Sequence, residues 1–306
     1  MNSTAFLLHP LPPFRLDLTI WALRRRPNNA LDRWDGIAYC RTMDTGGGLL
    51  EVDVQQTGPC EAPELMVRLT GSPAGPSSAK DQVAEILGRS LGLAFDLSDF
   101  YRLAETDSLL GPLAKRFRGL HPPRFQGAME ALANAVSCQQ LSLNVGIGLL
   151  NRLTDGYGRG SKDGLRAFPS AEDLAGAEAA DLRSLGYSTR KANTLIALAR
   201  QLAEGELDFD GLAMEDDATV LAHLCALDGI GRWSAEYILL RGFGRLHVFP
   251  GDDVGARDKL QRWLSLPEPL DYRGVNRIIR RWSPHAGLVY FHLLLDSLAT
   301  SGWLPG

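Results

Sequence analysis

The stretch from Leu224 to Gly255 constrains this chain more than any other. Leu221, Leu224, Cys225 and Leu227 recur on one face of a short helix, and Ser234, Ala235, Tyr237, Ile238, Leu239 and Leu240 resume a helical pattern. Asp228-Gly229-Ile230-Gly231 separates the two. Glycines so close together favour a tight turn with positive φ and leave backbone amides bare. The pattern predicts helix, glycine hairpin, helix. The second helix then starts where free amides and the positive end of its dipole face outward, a natural seat for a phosphate. Gly229, Gly231, Arg232 and Ser234 are the contact residues of such a seat. Downstream, Phe249-Pro250-Gly251 stops the chain again, and a helical pattern resumes through Ala256, Leu260 and Leu264. Asp252 and Asp253 fall at its start. An acid there has an ordinary explanation as an N-cap. A carboxylate close to a phosphate seat also suggests chemistry on DNA.

Composition excludes several classes. The chain has 306 residues, 45% of them apolar and 22% charged, enough for two domains and a soluble, globular core. No apolar run approaches the roughly 18 residues that a membrane span needs. The start, Met-Asn-Ser-Thr-Ala-Phe-Leu-Leu-His-Pro, lacks the basic n-region of a signal peptide. Cys40, Cys60, Cys138 and Cys225 are scattered, with no zinc or iron–sulfur spacing, so reduced thiols in the cytoplasm are expected. The net charge is −4, with the acidic excess confined to the first third. Any contact with DNA must therefore use local basic clusters and backbone amides rather than a global field.

In chain order, residues 1–100 read as a mixed α/β domain. Ile37–Cys40, Leu49–Val54 and Leu65–Leu69 alternate as short strands, Pro73 to Ser78 is a loop, and Ser78 to Leu91 is helical. Arg24-Arg25-Arg26 reads as a solvated basic run, with contact to DNA as the lesser alternative. From Leu97 onward the chain is helical. Pro122-Pro123 marks a helix start, with Phe125, Met129, Leu132 and Val136 on its inner face. Ser137-Cys138-Gln139-Gln140-Leu141-Ser142 interrupts two helices with polar amides and an exposed leucine, and Ser142 caps the second of them. Ser170 caps a short helix, and Arg190-Lys191 opens a long one that closes at Gly205. Gly287 to Ser301 is an apolar closing helix.

Leu-x-x-Leu-x-Gly-Ile-Gly-x-Trp-Ser-Ala, followed by Phe-Pro-x-x-Asp-x-Gly, resembles the helix-hairpin-helix DNA glycosylases, specifically the bacterial 3-methyladenine DNA glycosylase II branch. Gln139-Gln140-Leu141-Ser142 and the stretch Leu185 to Ala192 extend the resemblance over most of the chain. It implies an α+β, mostly α fold: an N-terminal antiparallel sheet with flanking helices, then a two-part helical region over 101–306. One part, about 124–246, carries the hairpin. The other joins 101–123 to 247–306, with a cleft between. It implies a DNA N-glycosylase of base excision repair, acting as a monomer in the nucleoid-bearing cytoplasm on double-stranded DNA that contains alkylated bases.

The resemblance also assigns residues. Asp253 matches the catalytic aspartate, which stabilises an oxocarbenium-like transition state or activates water. Leu141 matches the residue that fills the space of a flipped base. Trp233 stands where lyase-type relatives place a lysine, so the enzyme should be monofunctional, with an indole stacking on an electron-poor base. Tyr237, Trp282, His285 and Gln140 complete the expected pocket, Trp282 as core or cleft wall and His285 standing where relatives often present an aromatic. A smaller His285 would leave the pocket wide enough for alkylated pyrimidines. No cofactor is expected beyond a structural monovalent cation on the backbone carbonyls of Cys225, Leu227 and Ile230. Two alternatives stay open: a glycosylase for neutral oxidised or deaminated bases, and a non-catalytic DNA-binding protein that keeps the hairpin.

Overall fold

The computed structural model describes residues 2–71, 76–160 and 166–304. The N-terminal part is a five-stranded antiparallel sheet of β1 (Asn2–Leu8), β2 (Arg33–Trp34), β3 (Ala38–Asp44), β4 (Leu49–Gln56) and β5 (Leu65–Gly71), in the order β1-β5-β4-β3-β2. Val52, Val54, Leu65 and Val67 alternate toward the core, as the pleat requires. α1 (Leu16–Arg24) and α2 (Pro76–Ser90) flank the sheet. The three expected strands are present. β1, β2 and α1 are additions to the sequence reading. α2 starts at Pro76 inside the expected loop, whose first residues, 73–75, lie outside the described residues.

The rest is helical: α3 (Ser98–Thr106), α4 (Leu110–Arg116), α5 (Ala128–Cys138), α6 (Leu143–Tyr157), α7 (Ala171–Ala175), α8 (Ala179–Ser184), α9 (Thr189–Ala203), α10 (Phe209–Leu212), α11 (Asp217–Ala226), α12 (Arg232–Arg241), α13 (Val254–Trp263), α14 (Tyr272–Ile279) and α15 (Ala286–Thr300). Among the described residues no helix is long and apolar enough to cross a membrane. Side-chain caps at Ser142, Ser170, Ser188, Asp208, Asp216, Asp253 and Asp271 set many of the helix starts. α5 starts at Ala128, later than the Pro122-Pro123 signal suggests. Residues before a proline are driven out of the α region, and the chain here stays extended, with the amides of Arg124 and Phe125 donating to the carbonyls of Ser90 and Arg241. α5 is also buried on all sides from Met129 to Cys138, not on one face.

Two hydrophobic clusters form the core. One joins the sheet to α2, α5, α6, α9 and α12. The other gathers α3, α4, α13, α14 and α15. α1 and α12 serve both: Leu16, Ile20, Leu23, Ile238 and Leu239 face the first cluster, and Leu18, Trp21, Ala22 and Leu240 face the second. The buried Arg241 guanidinium ties the two helices by donating to the carbonyls of Ala22 and Leu23 at 2.9 and 3.2 Å. The C-terminal ends of α1 and α12 therefore meet along the seam between the cores.

Candidate active site

A cavity of about 340 Å³ lies on that seam, walled by Trp233, Tyr237, Tyr290, Phe249, Arg25 and Asp253 among others. It continues into an open groove of about 600 Å³ beside Gln140, Leu141, Gly229 and Gly231. Cys138, Leu141, Trp233, Asp253, Val254 and Gly255 line both spaces. The enclosed part has the size of a small-molecule pocket.

The hairpin forms as expected, with one difference. Gly229 has φ +83°, and the Ile230 amide closes the turn onto the Leu227 carbonyl at 3.1 Å. Gly231 instead has φ −101° and ψ 177°, a conformation open to any residue, and occupies the N-cap of α12. Only one glycine is thus needed for turn geometry. On α11 the inward residues are Val220 and Leu224, whereas Cys225, expected on that face, is exposed.

α12 offers the first-turn amides that a helix leaves without partners. The Ser234 hydroxyl cannot add to them, because it is 1% exposed and receives Gln139 Nε2 at 2.9 Å. The same Gln139 nitrogen donates to the Gly229 carbonyl at 2.8 Å. Arg232 is exposed, paired with Asp252 at 2.6 Å and stacked on Tyr272 at 3.8 Å. Lys191 donates from Nζ to the carbonyls of Ser137 and Gln139 at 3.1 and 2.8 Å, holding the C-terminal end of α5. The loop so fixed presents Leu141, 43% exposed, into both spaces, and Gln140 takes φ +52° beside it.

Asp253 is carried by a turn that α12 itself anchors. Buried Glu236 accepts the Gly251 amide at 3.0 Å and the Tyr272 hydroxyl at 2.6 Å. Asp253 is the N-cap of α13, and its Oδ1 accepts the Ala256 amide at 2.9 Å. Of the two acids at this helix start, Asp253 is the cap and Asp252 is the ion-pair partner of Arg232. The cap leaves Asp253 with its second oxygen and a position on the wall of both spaces.

Trp233 and Tyr237 stack with centroids 5.3 Å apart, one helical turn from each other. Arg25 donates to the Tyr237 hydroxyl at 2.6 Å and to Asn134 Oδ1 at 2.5 Å. Burial, opposed by Arg25 and Arg241, pushes the Tyr237 phenol upward, so it stays protonated. The basic run at 24–26 is therefore not a solvated patch. Arg24 and Arg25 are 6% and 3% exposed, and Arg25 and Arg26 wall the cavity. The Arg25 partners lie more than a hundred residues away in sequence, so no local signal marks it. Tyr290 and Lys259, also on the wall, escape sequence reasoning because they too are brought in from distant elements.

Three expected pocket residues are elsewhere, Gln140 on the open groove rather than in the enclosed cavity. Trp282 is fully buried in the second core, with Nε1 donating to Asp107 at 2.9 Å and its ring against Trp263. His285 precedes α15, packs edge-on against Phe100 and lines a shallow surface hollow with Phe95 and Pro284.

Residues 133–285, half of the chain, match the family described as HhH-GPD superfamily base excision DNA repair protein. The Bacillus subtilis protein YfjP, whose name assigns it provisionally as a DNA-3-methyladenine glycosylase, is 25% identical over 92% of this chain and 95% of its own. The DNA-3-methyladenine glycosylase 2 of Escherichia coli is 31% identical over 64% of this chain and 66% of its own. Among solved structures, the 3-methyladenine DNA-glycosylase from Archaeoglobus fulgidus superposes with a TM-score of 0.82 at 24% identity, covering 97% of this chain and 99% of that one. The glycine hairpin, the capped Asp253 and the aromatic cavity all fall inside or beside the matched region, and the chain belongs to the HhH-GPD superfamily of base excision DNA repair proteins.

Proposed function

We propose that this chain is a monofunctional DNA glycosylase that hydrolyses the N-glycosidic bond of alkylated bases in duplex DNA. The observation that carries the reading is the position of Asp253. Its carboxylate stands where an enclosed aromatic cavity meets an open groove beneath a helix-hairpin-helix element. A base extruded from the duplex would enter the cavity and stack on Trp233, leaving its deoxyribose beside Asp253. Departure of the base builds positive charge on the sugar, and a fixed carboxylate stabilises it and orients water. An alkylated base already carries positive charge, so it needs less help to leave and is attracted by an indole face. Relatives similar over most of the chain bear the names of 3-methyladenine glycosylases.

The first-turn amides of α12, at Arg232, Trp233 and Ser234, would seat a backbone phosphate. Gly231 has nothing within 4 Å of its would-be side chain, leaving room for close approach. Leu141 would fill the space vacated by the flipped base, and Gln140 would contact the duplex beside it. A monovalent cation would rest on the carbonyls of Cys225, Leu227 and Ile230. Among the described residues no cluster of His, Cys, Asp or Glu suits a metal ion, and carbonyl oxygens suit a hard monovalent one. The Leu227 carbonyl already accepts Ile230 N–H and retains a second lone pair. The enzyme would work as a monomer on nucleoid DNA.

One observation favours a second reading. Arg25, Arg26 and Lys259 share the cavity wall, and these cations would suit a neutral base that departs as an anion. Excision from duplexes carrying 3-methyladenine, 7-methylguanine or hypoxanthine, by wild type and Asp253→Asn, tests both. Release of methylated bases that vanishes in Asp253→Asn supports the first reading, and release of hypoxanthine alone supports the second. More than a tenth of wild-type turnover in Asp253→Asn, about 1.4 kcal/mol of barrier or less, would move the catalytic role elsewhere.

A further inference from the structure

Lys259 is a cavity group that hydrolysis does not use. The chain spends lysine sparingly: five lysines stand against 27 arginines. Two of the five, Lys191 and Lys259, line the groove and the cavity. Lys191 has a structural task at two carbonyls, but Lys259 does not. It is half-buried, and among the described residues its one hydrogen bond runs from Nζ to the Gly255 carbonyl at 2.9 Å. That leaves two of its three donors unused. Arginine would have served as well for charge, but a guanidinium stays protonated and cannot act as a nucleophile.

The amine and the carboxylate share one opening. A methyl group built on Gly255 would lie 3.3 Å from Asp253 Oδ1 and 3.4 Å from Lys259 Nζ. Gly255 leaves that space empty, and it faces both the cavity and the groove. Burial lowers the Lys259 ammonium from its ordinary range, opposed by the charge of Asp253, with Arg26 and Arg262 adding to the lowering and Asp258 opposing it. The fraction of free amine rises accordingly.

We propose that Lys259 captures the abasic product: its amine adds to the C1′ aldehyde of the base-free deoxyribose and forms a Schiff base within the cavity. The inference rests on the reading of this site as a glycosylase. The Nζ lone pair forms the new N–C1′ bond, and the amine protons leave with the aldehyde oxygen as water. The sugar–phosphate strand stays intact, as a monofunctional glycosylase requires. Water then hydrolyses the imine and frees the lysine. The indole at 233 rules out an amine at that position of α12, but α13 supplies one to the same cavity.

The test uses the full-length protein and a duplex with a single ready-made abasic site, treated with sodium borohydride to reduce any imine to a stable secondary amine. The expected result is a covalent protein–DNA adduct whose tryptic map puts the deoxyribose on Lys259. Lys259→Arg should lower adduct yield by about tenfold or more, because arginine keeps charge and length without nucleophilicity. Lys115→Arg, at an exposed position on α4, should not lower it. An adduct mapped to Lys191 or to the N-terminal amine would overturn the proposal. So would no adduct from a preparation that excises methylated bases. If the adduct maps to Lys259 but methylated bases are not excised, the glycosylase reading fails and Lys259 capture stands; if neither adduct nor excision is seen, both fail.

Discussion

Gly229→Ala should be among the most damaging single-methyl additions in the chain, and the structure says how the damage divides. Gly229 has φ +83°, where an L-residue is strained by about 1–2 kcal/mol. The added Cβ would also lie 2.2 Å from Thr194 Oγ1, 2.8 Å from its Cγ2 and 3.0 Å from its Cβ. Thr194 is 2% exposed in the middle of α9, and a β-branched side chain there cannot rotate clear, since each rotamer returns a heavy atom to the same space. Overpacking of this kind costs about 1–3 kcal/mol, so the total is about 2–5 kcal/mol. Urea unfolding of wild type, Gly229→Ala, Thr194→Ala and the double variant forms a closed cycle. Thr194→Ala removes the two nearest atoms and should restore most of the steric part, leaving the conformational part. A loss below about 1 kcal/mol, or no recovery in the double variant, would refute the reasoning. Gly231→Ala is the internal contrast. Its φ of −101° and open surroundings predict stability within about 0.5 kcal/mol of wild type. DNA affinity should nevertheless fall, because the methyl group stands over the amides that would seat a phosphate.

Other expectations concern the histidines. His292 is fully buried, with Nδ1–H donating to the Leu288 carbonyl at 2.8 Å, and burial lowers it to about 4. Between that value and the ordinary 6.5 the unfolded chain binds the extra proton, so stability should be full above pH 6.5, fall by about 3 kcal/mol down to pH 4, and then level. His292→Phe should flatten this acid limb in pH-dependent unfolding, and an unchanged limb would assign it to other groups. His285→Trp should leave the range of excised bases as it is, because His285 lies outside the Asp253 cavity. A range narrowed to purines in parallel excision assays would contradict the placement.

Much of the fold is legible in the sequence because periodicity and caps are local. Strands β3, β4 and β5 follow from alternation, and Ser142 and Ser170 announce their helices by capping the residues just ahead. α1 is harder to read. Eight of its nine residues are buried, because it sits between two cores and shows no polar stripe to phase the helix. α5 misleads similarly: a proline pair suggests its start, but tertiary hydrogen bonds to Ser90 and Arg241 keep those residues extended.

At the site, local chemistry is legible and long-range pairing is not. The hairpin, the stacked Trp233 and Tyr237 and the exposed Leu141 follow from spacing along one segment. Arg25 does not. Three arginines in a row have the composition of a surface patch, and only the fold reveals that α1 ends against Asn134 and Tyr237, 109 and 212 residues away. Trp282 errs in the opposite direction, since an indole near a proline break can face a cleft or a core, and the deciding partner, Asp107, is 175 residues distant. Asp253 is the instructive case. Its plain reading as a cap and its catalytic reading are not rivals. The capping bond to Ala256 spends Oδ1 and fixes the side-chain rotamer, while Glu236 holds the turn that carries it. A carboxylate immobilised in this way needs little reorganisation when positive charge develops beside it, which is the condition under which electrostatic stabilisation is strongest. On the proposed mechanism, the cap is what would make the remaining oxygen useful.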